Sequence, residues 1–239
     1  MPESRSERAE LDMIAADSWY NLGPNGVGAR YAASVFARSW RGTSCLELGP
    51  AEGMMAELIV QDFPEVTLVD GSETFCTGLR DRFPTATVVC CLFEEFEPGR
   101  RFETIVMGHV LEHVEDPVAV LRRAVDWIEP DGRLFAAVPN ARSLHRQAAV
   151  MMGLLGNETE MNDADRHHGH RRIYTPETYR TDFLQAGWEI EMFGGYWLKP
   201  VSNQQIADSW TAEMLLSFMQ LGERYPDIAG EIYVVARHR

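Results

Sequence analysis

SCLELGPAEG, residues 44–53, decides how the rest of the chain reads. Its first half is a short apolar run bounded by turn-formers, which is the pattern of a buried strand. Gly49 permits a tight turn at the end of that strand, and Gly53 lets the next helix start close to a ligand. MMAELIVQDF, after Gly53, has helical spacing and stops before Pro64. Outward from there the alternation continues. VTLVD (Val66–Asp70) predicts a second strand, Ser72 is placed to cap a helix running to about Phe83, ATVVCCLF a third strand and ETIVMG a fourth. Asp116-Pro117 predicts a helix opening, a capping side chain followed by a proline that needs no amide partner. VAVLRRAVDWI continues that helix to a turn at Pro130–Gly132, and RLFAAVP predicts a fifth strand.

Strand and helix therefore alternate from residue 44 to 139, and near-continuous apolar strands belong to a sheet covered on both faces. The expected fold is α/β, a doubly wound, seven-stranded, mostly parallel sheet. Its last two strands fall at Trp188–Phe193 and GEIYVVAR. Before the sheet, residues 1–40 predict a helical cap with a break at Asn21–Gly28. After it, 141–175 carries no strand signal, Pro176–Ala186 predicts a helix, and 199–229 predicts a helical insertion before the last strand. All of this fits one domain over 1–239, with 41–140 as its ligand-binding core.

The chain has 239 residues, 45% hydrophobic and 24% charged, ordinary globular values that exclude a disordered or fibrous protein. No apolar run approaches the ~20 residues of a membrane helix. The start is polar rather than a secretory signal, so a soluble, cytoplasmic protein with no membrane partner is expected. A net charge of −14 disfavours a nucleic-acid substrate. The four cysteines (45, 76, 90 and 91) form no CxxC pair and suit neither a disulfide framework nor a zinc site.

In an open α/β sheet, ligands sit beyond the carboxyl ends of the strands. Glu47, Gly49 and Gly53 lie at that end of the first strand and Asp70 at that end of the second, where a carboxylate can accept both hydroxyls of a ribose. A glycine turn followed by an acid is shared with nicotinamide and flavin binders. Here, however, Glu47 replaces the first glycine of the dinucleotide pattern. An acid there repels a pyrophosphate and pairs with the ammonium of an amino-acid tail. The combination favours S-adenosylmethionine over NAD.

LELGPAEG, the LVDGS around Asp70, and VLEHVEDP (110–117) followed by IEPDGRLFAAVPN together resemble the class I S-adenosylmethionine-dependent methyltransferases. The similarity is greatest to the small-molecule branch that includes ubiquinone-biosynthesis O-methyltransferases and natural-product enzymes. It covers residues 40 to 140 well and the remainder loosely. The resemblance implies a Rossmann-like methyltransferase fold and makes Glu47, Gly49 and Gly53 the methionine and turn contacts. Asp70 becomes the ribose acid with Gly71 and Ser72 beside it, and Gly108 and His109 face the methionine part. Where the family usually offers an acid to adenine this chain has Leu92, so the Phe93 backbone amide and apolar packing are expected to hold the ring.

A sulfonium methyl is already activated, so the enzyme aligns the reactants and removes a proton. Histidine is the usual base near neutral pH. The cluster Arg166-His-His-Gly-His-Arg-Arg172 falls in the expected substrate lid and offers His170, His167 or His168, with His109 as the candidate on the core; His113 is expected to orient a loop or cap a helix. Arg171 and Arg172 are expected to grip an acceptor, with Tyr20, Tyr196 and Trp197 lining its pocket and Trp19 beside Tyr20. HHGH has no paired acid or cysteine at suitable spacing, so no metal is expected. Trp210, Met214, Leu215, Phe218 and Met219 recur at helical spacing, as core, acceptor wall or a homodimer contact. The expected activity is methyl transfer to a small molecule, oxygen favoured, with a histidine base. Nitrogen or carbon acceptors, a nicotinamide oxidoreductase and a non-catalytic adenosyl-ligand module are the alternatives.

Overall fold

The structure, a computed structural model, describes residues 7–18 and 20–238. Trp19 lies outside the described residues. The strands are β1 (Ser44–Leu48), β2 (Glu65–Asp70), β3 (Thr87–Cys90), β4 (Phe102–Gly108), β5 (Ile128–Pro139), β6 (Trp188–Tyr196) and β7 (Glu231–His238). They form one sheet in the order β3-β2-β1-β4-β5-β7-β6. β7 runs antiparallel to β5 and β6, and the other pairings are parallel. Chain order reverses between β1 and β4, which opens the crevice where such sheets take ligands. Because β7 runs backwards, its first residue, Glu231, stands at that same edge, paired with Pro139 and Tyr196.

Alternate residues of each central strand enter opposite cores. Leu46, Leu48, Ile105, Met107, Leu134 and Ala136 pack with Trp127, Tyr179 and Phe183 on one face. Cys45, Val106, Phe135 and Ala137 pack with Phe36, Ile59, Leu215 and Met219 on the other. Two buried faces explain the unbroken apolar strands. The helices over the first face are α5 (Pro117–Trp127) and α8 (Pro176–Gln185); α2 (Gly23–Ala37), α3 (Ala56–Asp62) and α10 (Ala212–Gly222) cover the second. α1 (Glu7–Ala16) lies against α4 (Glu73–Arg82), and α6 (Leu144–Met151), α7 (Asp163–His167) and α9 (Asn203–Ser209) complete the chain. Ser72 and Asp116 cap α4 and α5, accepting from the Phe75 and Ala119 amides.

Three local expectations are corrected. The break before α2 is shorter, because Pro24 sits in the first turn of a helix beginning at Gly23, where its missing N–H costs nothing. Pro130–Gly132 is an irregularity inside β5, where the register against β4 shifts between Phe102 and Thr104, rather than a turn before it. β3 ends at Cys90, and Phe93–Glu95 is a short 3-10 helix.

Candidate active site

The end expected to take a nucleoside is built from the turns after β1 and β2. Gly49 is left-handed (φ 64°), and a Cβ there would stand 2.8 Å from Val110 Cγ2. The next turn residue, Ala51, is left-handed too (φ 47°) and donates its amide to Asp70 Oδ2 at 3.2 Å. The Ser72 amide donates to Asp70 Oδ1 at 2.9 Å, so one carboxylate ties the first two turns together. Burial pushes Asp70 up to about 6 against the pull of these amides. Glu47 is 2% exposed, and its Oε2 has no hydrogen-bond partner among the described residues. Burial, with Asp70 nearby, raises it to about 8. An orphaned buried acid oxygen is costly, and a cationic ligand would satisfy it.

The neighbours are less uniform than expected. Gly53 makes room for Phe83 and Leu79 of the α4 end, Gly71 for Leu11 of α1, and Gly108 for Met55. Phe93 lies near Gly49, its ring 3.7 Å from where a Cβ would stand. The Ser72 hydroxyl is fully buried, capping α4 and donating to Asp12 Oδ1 at 2.7 Å. A cleft of about 500 Å³ opens beside the glycine turn, bounded by Ala51, Glu52, Phe75, Arg82 and the end of α1.

The other half of the edge gathers imidazoles. His109 leaves β4 in a left-handed conformation (φ 58°), at a cost of about 1 kcal/mol. Its Nδ1 lies 3.3 Å from Glu112 Oε1 and 3.9 Å from Glu231 Oε2, and its Nε2 lies 3.1 Å from the Tyr196 hydroxyl. Burial disfavours the charged ring, but the two acids outweigh it and raise His109 to about 9. Glu112, only 1% exposed, is held down to about 2 by the surrounding imidazoles despite its burial. His113 is in contact distance of Glu112 and, chiefly through burial, falls to about 4. It sits in the turn before α5 rather than at the helix start. The His170 ring meets His113 edge to face at 4.8 Å, with its Nδ1 3.6 Å from Asp165 Oδ1. Tyr20 closes the group, donating to the His168 carbonyl at 2.7 Å and stacking on that ring at 5.1 Å.

A family model described as "Methyltransferase domain" matches residues 28–192, more than half of the chain. The chain belongs to this methyltransferase family. The ubiquinone biosynthesis O-methyltransferase of Xanthomonas euvesicatoria pv. vesicatoria is 24% identical to it over 236 residues, which cover 90% of this chain and 95% of the relative. That of Xylella fastidiosa (strain 9a5c) is 25% identical over 217 residues, covering 82% and 85%. Among solved structures, the N-methyltransferase NodS from Bradyrhizobium japonicum WM9, in complex with S-adenosyl-L-homocysteine, superposes with a TM-score of 0.63 at 14% identity, covering 97% of each chain. The CcbJ methyltransferase from Streptomyces caelestis does so with 0.65 at 16%, covering 98% of this chain and 99% of that one. A [4+2]-cyclase, SpnF, shares the fold at 0.59 and 16% identity, covering 95% and 90%, so fold likeness leaves the reaction open.

Several residues expected to meet the acceptor have partners within the chain. The Arg172 guanidinium donates to the Leu111, Val114 and Glu115 carbonyls, bracing the turn after β4. The Arg171 side chain reaches toward Glu10 of α1, while its amide donates to the Glu112 carbonyl at 2.8 Å. Trp197 is core, packed over Gly28 and pressed against Gly222. His167 turns to Asp17, with its Nε2 3.1 Å from that carbonyl. Of the late stripe, Leu215 and Met219 are core, whereas Met214 is exposed. Glu112, Asp165 and Glu231, the acids that face the imidazoles, were not foreseen from the sequence. The EH pair was a signal for Glu112, but only the reversed direction of β7 brings Glu231 to the edge. The sequence of 166–172 holds no acid for its histidines; the structure supplies Asp165 from α7 and Glu112 from the turn after β4.

Proposed function

We propose that this methyltransferase moves a methyl group from S-adenosylmethionine to an oxygen of a small-molecule acceptor. One observation carries the donor half: the buried, unpartnered oxygen of Glu47 beside the left-handed Gly49 and the ribose-competent edge of Asp70. Glu47 would hold the ammonium, Asp70 the ribose hydroxyls, and Leu92 and Phe93 the adenine. When bound, the sulfonium supplies an activated methyl group, which leaves the protein to align the acceptor and remove its proton. His170 takes that proton, with Asp165 behind its Nδ1 in the arrangement that steadies an imidazolium as it forms; His109, held charged by Glu112 and Glu231 at neutral pH, accepts a proton only after losing its own. A hydroxyl needs such a base more than a free amine does. The name of the O-methyltransferase relatives supports the same choice.

A panel of phenols, alcohols and amines, scored by S-adenosyl-L-homocysteine release and by the site of the new methyl in the product, tests the reading. Oxygen methylation is expected, and His170→Ala should lower kcat by ~100-fold or more at neutral pH with donor affinity kept. Turnover confined to amines would refute the oxygen assignment.

A further inference from the structure

Three potential metal ligands from two separate segments meet at the carboxyl end of β4. Glu112 and His113 lie on the turn that follows the strand, and His170 on the segment after α7. One ligating atom of each lies within 4.8 Å of the other two. Glu112 Oε1 stands 3.9 Å from His113 Nε2. An ion pair with His109 balances the charge of Glu112, yet neither Glu112 oxygen makes a hydrogen bond, and the His170 side chain beside it is only 9% exposed. A fully desolvated carboxylate without hydrogen bonds is unfavourable unless something completes its surroundings.

We propose that Glu112, His113 and His170 bind a divalent transition-metal cation. Two imidazoles and one carboxylate suit zinc, cobalt or nickel rather than the all-oxygen preference of magnesium or calcium. Coordination at ~2.1 Å requires donor separations of ~3–4 Å, so the widest separation closes by roughly 1–2 Å. A carboxylate already stands behind His170: Asp165, which is fixed by Arg146 at 3.1 Å and by the Asn162 amide at 2.9 Å. Such outer carboxylates set the tautomer of a ligating histidine and leave its other nitrogen for the ion. Three protein ligands leave a coordination position for water or for an acceptor oxygen. With His170 on the ion, another group must take the acceptor's proton; that consequence rests on the oxygen methylation proposed above, whereas the site does not.

The test is direct metal binding by protein free of any polyhistidine tag, stripped with a chelator and titrated with Co²⁺ by visible absorption and with Zn²⁺ by calorimetry. One equivalent should bind without donor or acceptor present. Glu112→Gln and His170→Ala should each weaken binding by at least ~100-fold, beyond the ~10–100-fold cost of losing an outer partner. His109→Ala and His167→Ala should retain the site. Circular dichroism establishes that each variant folds; His170 lies outside the sheet, so its variant decides the matter if Glu112→Gln does not fold. Absence of a one-to-one site, wild-type affinity in His170→Ala, or loss of binding in His167→Ala in place of the other two would overturn the assignment.

Discussion

Glu47 and Asp70 are two acids held in a place that disfavours their charge. Glu47 titrates near 8 and Asp70 near 6 because burial withdraws water from both. An unfolded chain would ionise both near ~4, so between ~pH 5 and ~pH 8 it releases protons that the folded chain keeps, and stability falls as pH rises. In urea titrations across that window Glu47→Gln should flatten the fall, exceeding the wild type by more than ~1 kcal/mol at the upper end. An unchanged slope would show that Glu47 is already ionised in the free protein. Donor binding should pull a proton off Glu47, visible at neutral pH as a buffer-dependent heat that Glu47→Gln abolishes. Asp70→Ala should weaken the donor by ~10–100-fold, the ~1.5–3 kcal/mol of hydrogen bonds to a charged group. Unaltered affinity would remove Asp70 from the ribose.

Between the elements, α1 fastens the nucleoside end to the histidine segment. Asp12 takes the Ser72 hydroxyl at 2.7 Å and the Thr74 amide at 3.3 Å, Leu11 covers Gly71, and Ile14 lies against Gly169. Just beyond the helix, Ser18 bonds Glu52 of the glycine turn. Removing the Asp12 contacts should release α1 while Ser72 still caps α4. Asp12→Ala should therefore raise hydrogen exchange in residues 7–16 and leave global unfolding within ~1 kcal/mol of wild type. Protection unchanged in that stretch would mean that Leu11 and Ile14 alone hold the helix. None of these contacts was legible in the sequence, because α1 is short and its partners come from three different loops. The caps at Ser72 and Asp116 were legible, since each bonds an amide three residues ahead. The same locality explains the reading of Arg172: its charge was visible, but the carbonyls it serves belong to the turn after β4.

At the scale of the molecule, the apolar runs of β1, β4 and β5 announced a sheet buried on both faces, and the glycine turn pointed to the edge proposed for the ligand. What stayed hidden was the convergence of distant segments. Lys199 is lowered to about 8 chiefly by burial, and it feels the charges of Glu231 and Asp165, which the backward run of β7 and the excursion after β5 bring near it. No local pattern encodes such a meeting. Among the described residues no helix is long and apolar enough to cross a membrane, and the buried apolar residues pack on the two faces of the sheet. The central claim is that the edge formed by Glu47, Gly49 and Asp70 takes a cationic nucleoside with an amino-acid tail. Calorimetric titration of the protein with S-adenosylmethionine, beside a matched titration with NAD, measures this most directly. One saturable equivalent of the sulfonium donor, lost in Asp70→Ala, and no heat from the dinucleotide is the predicted result; saturation by NAD with silence from the donor would contradict it.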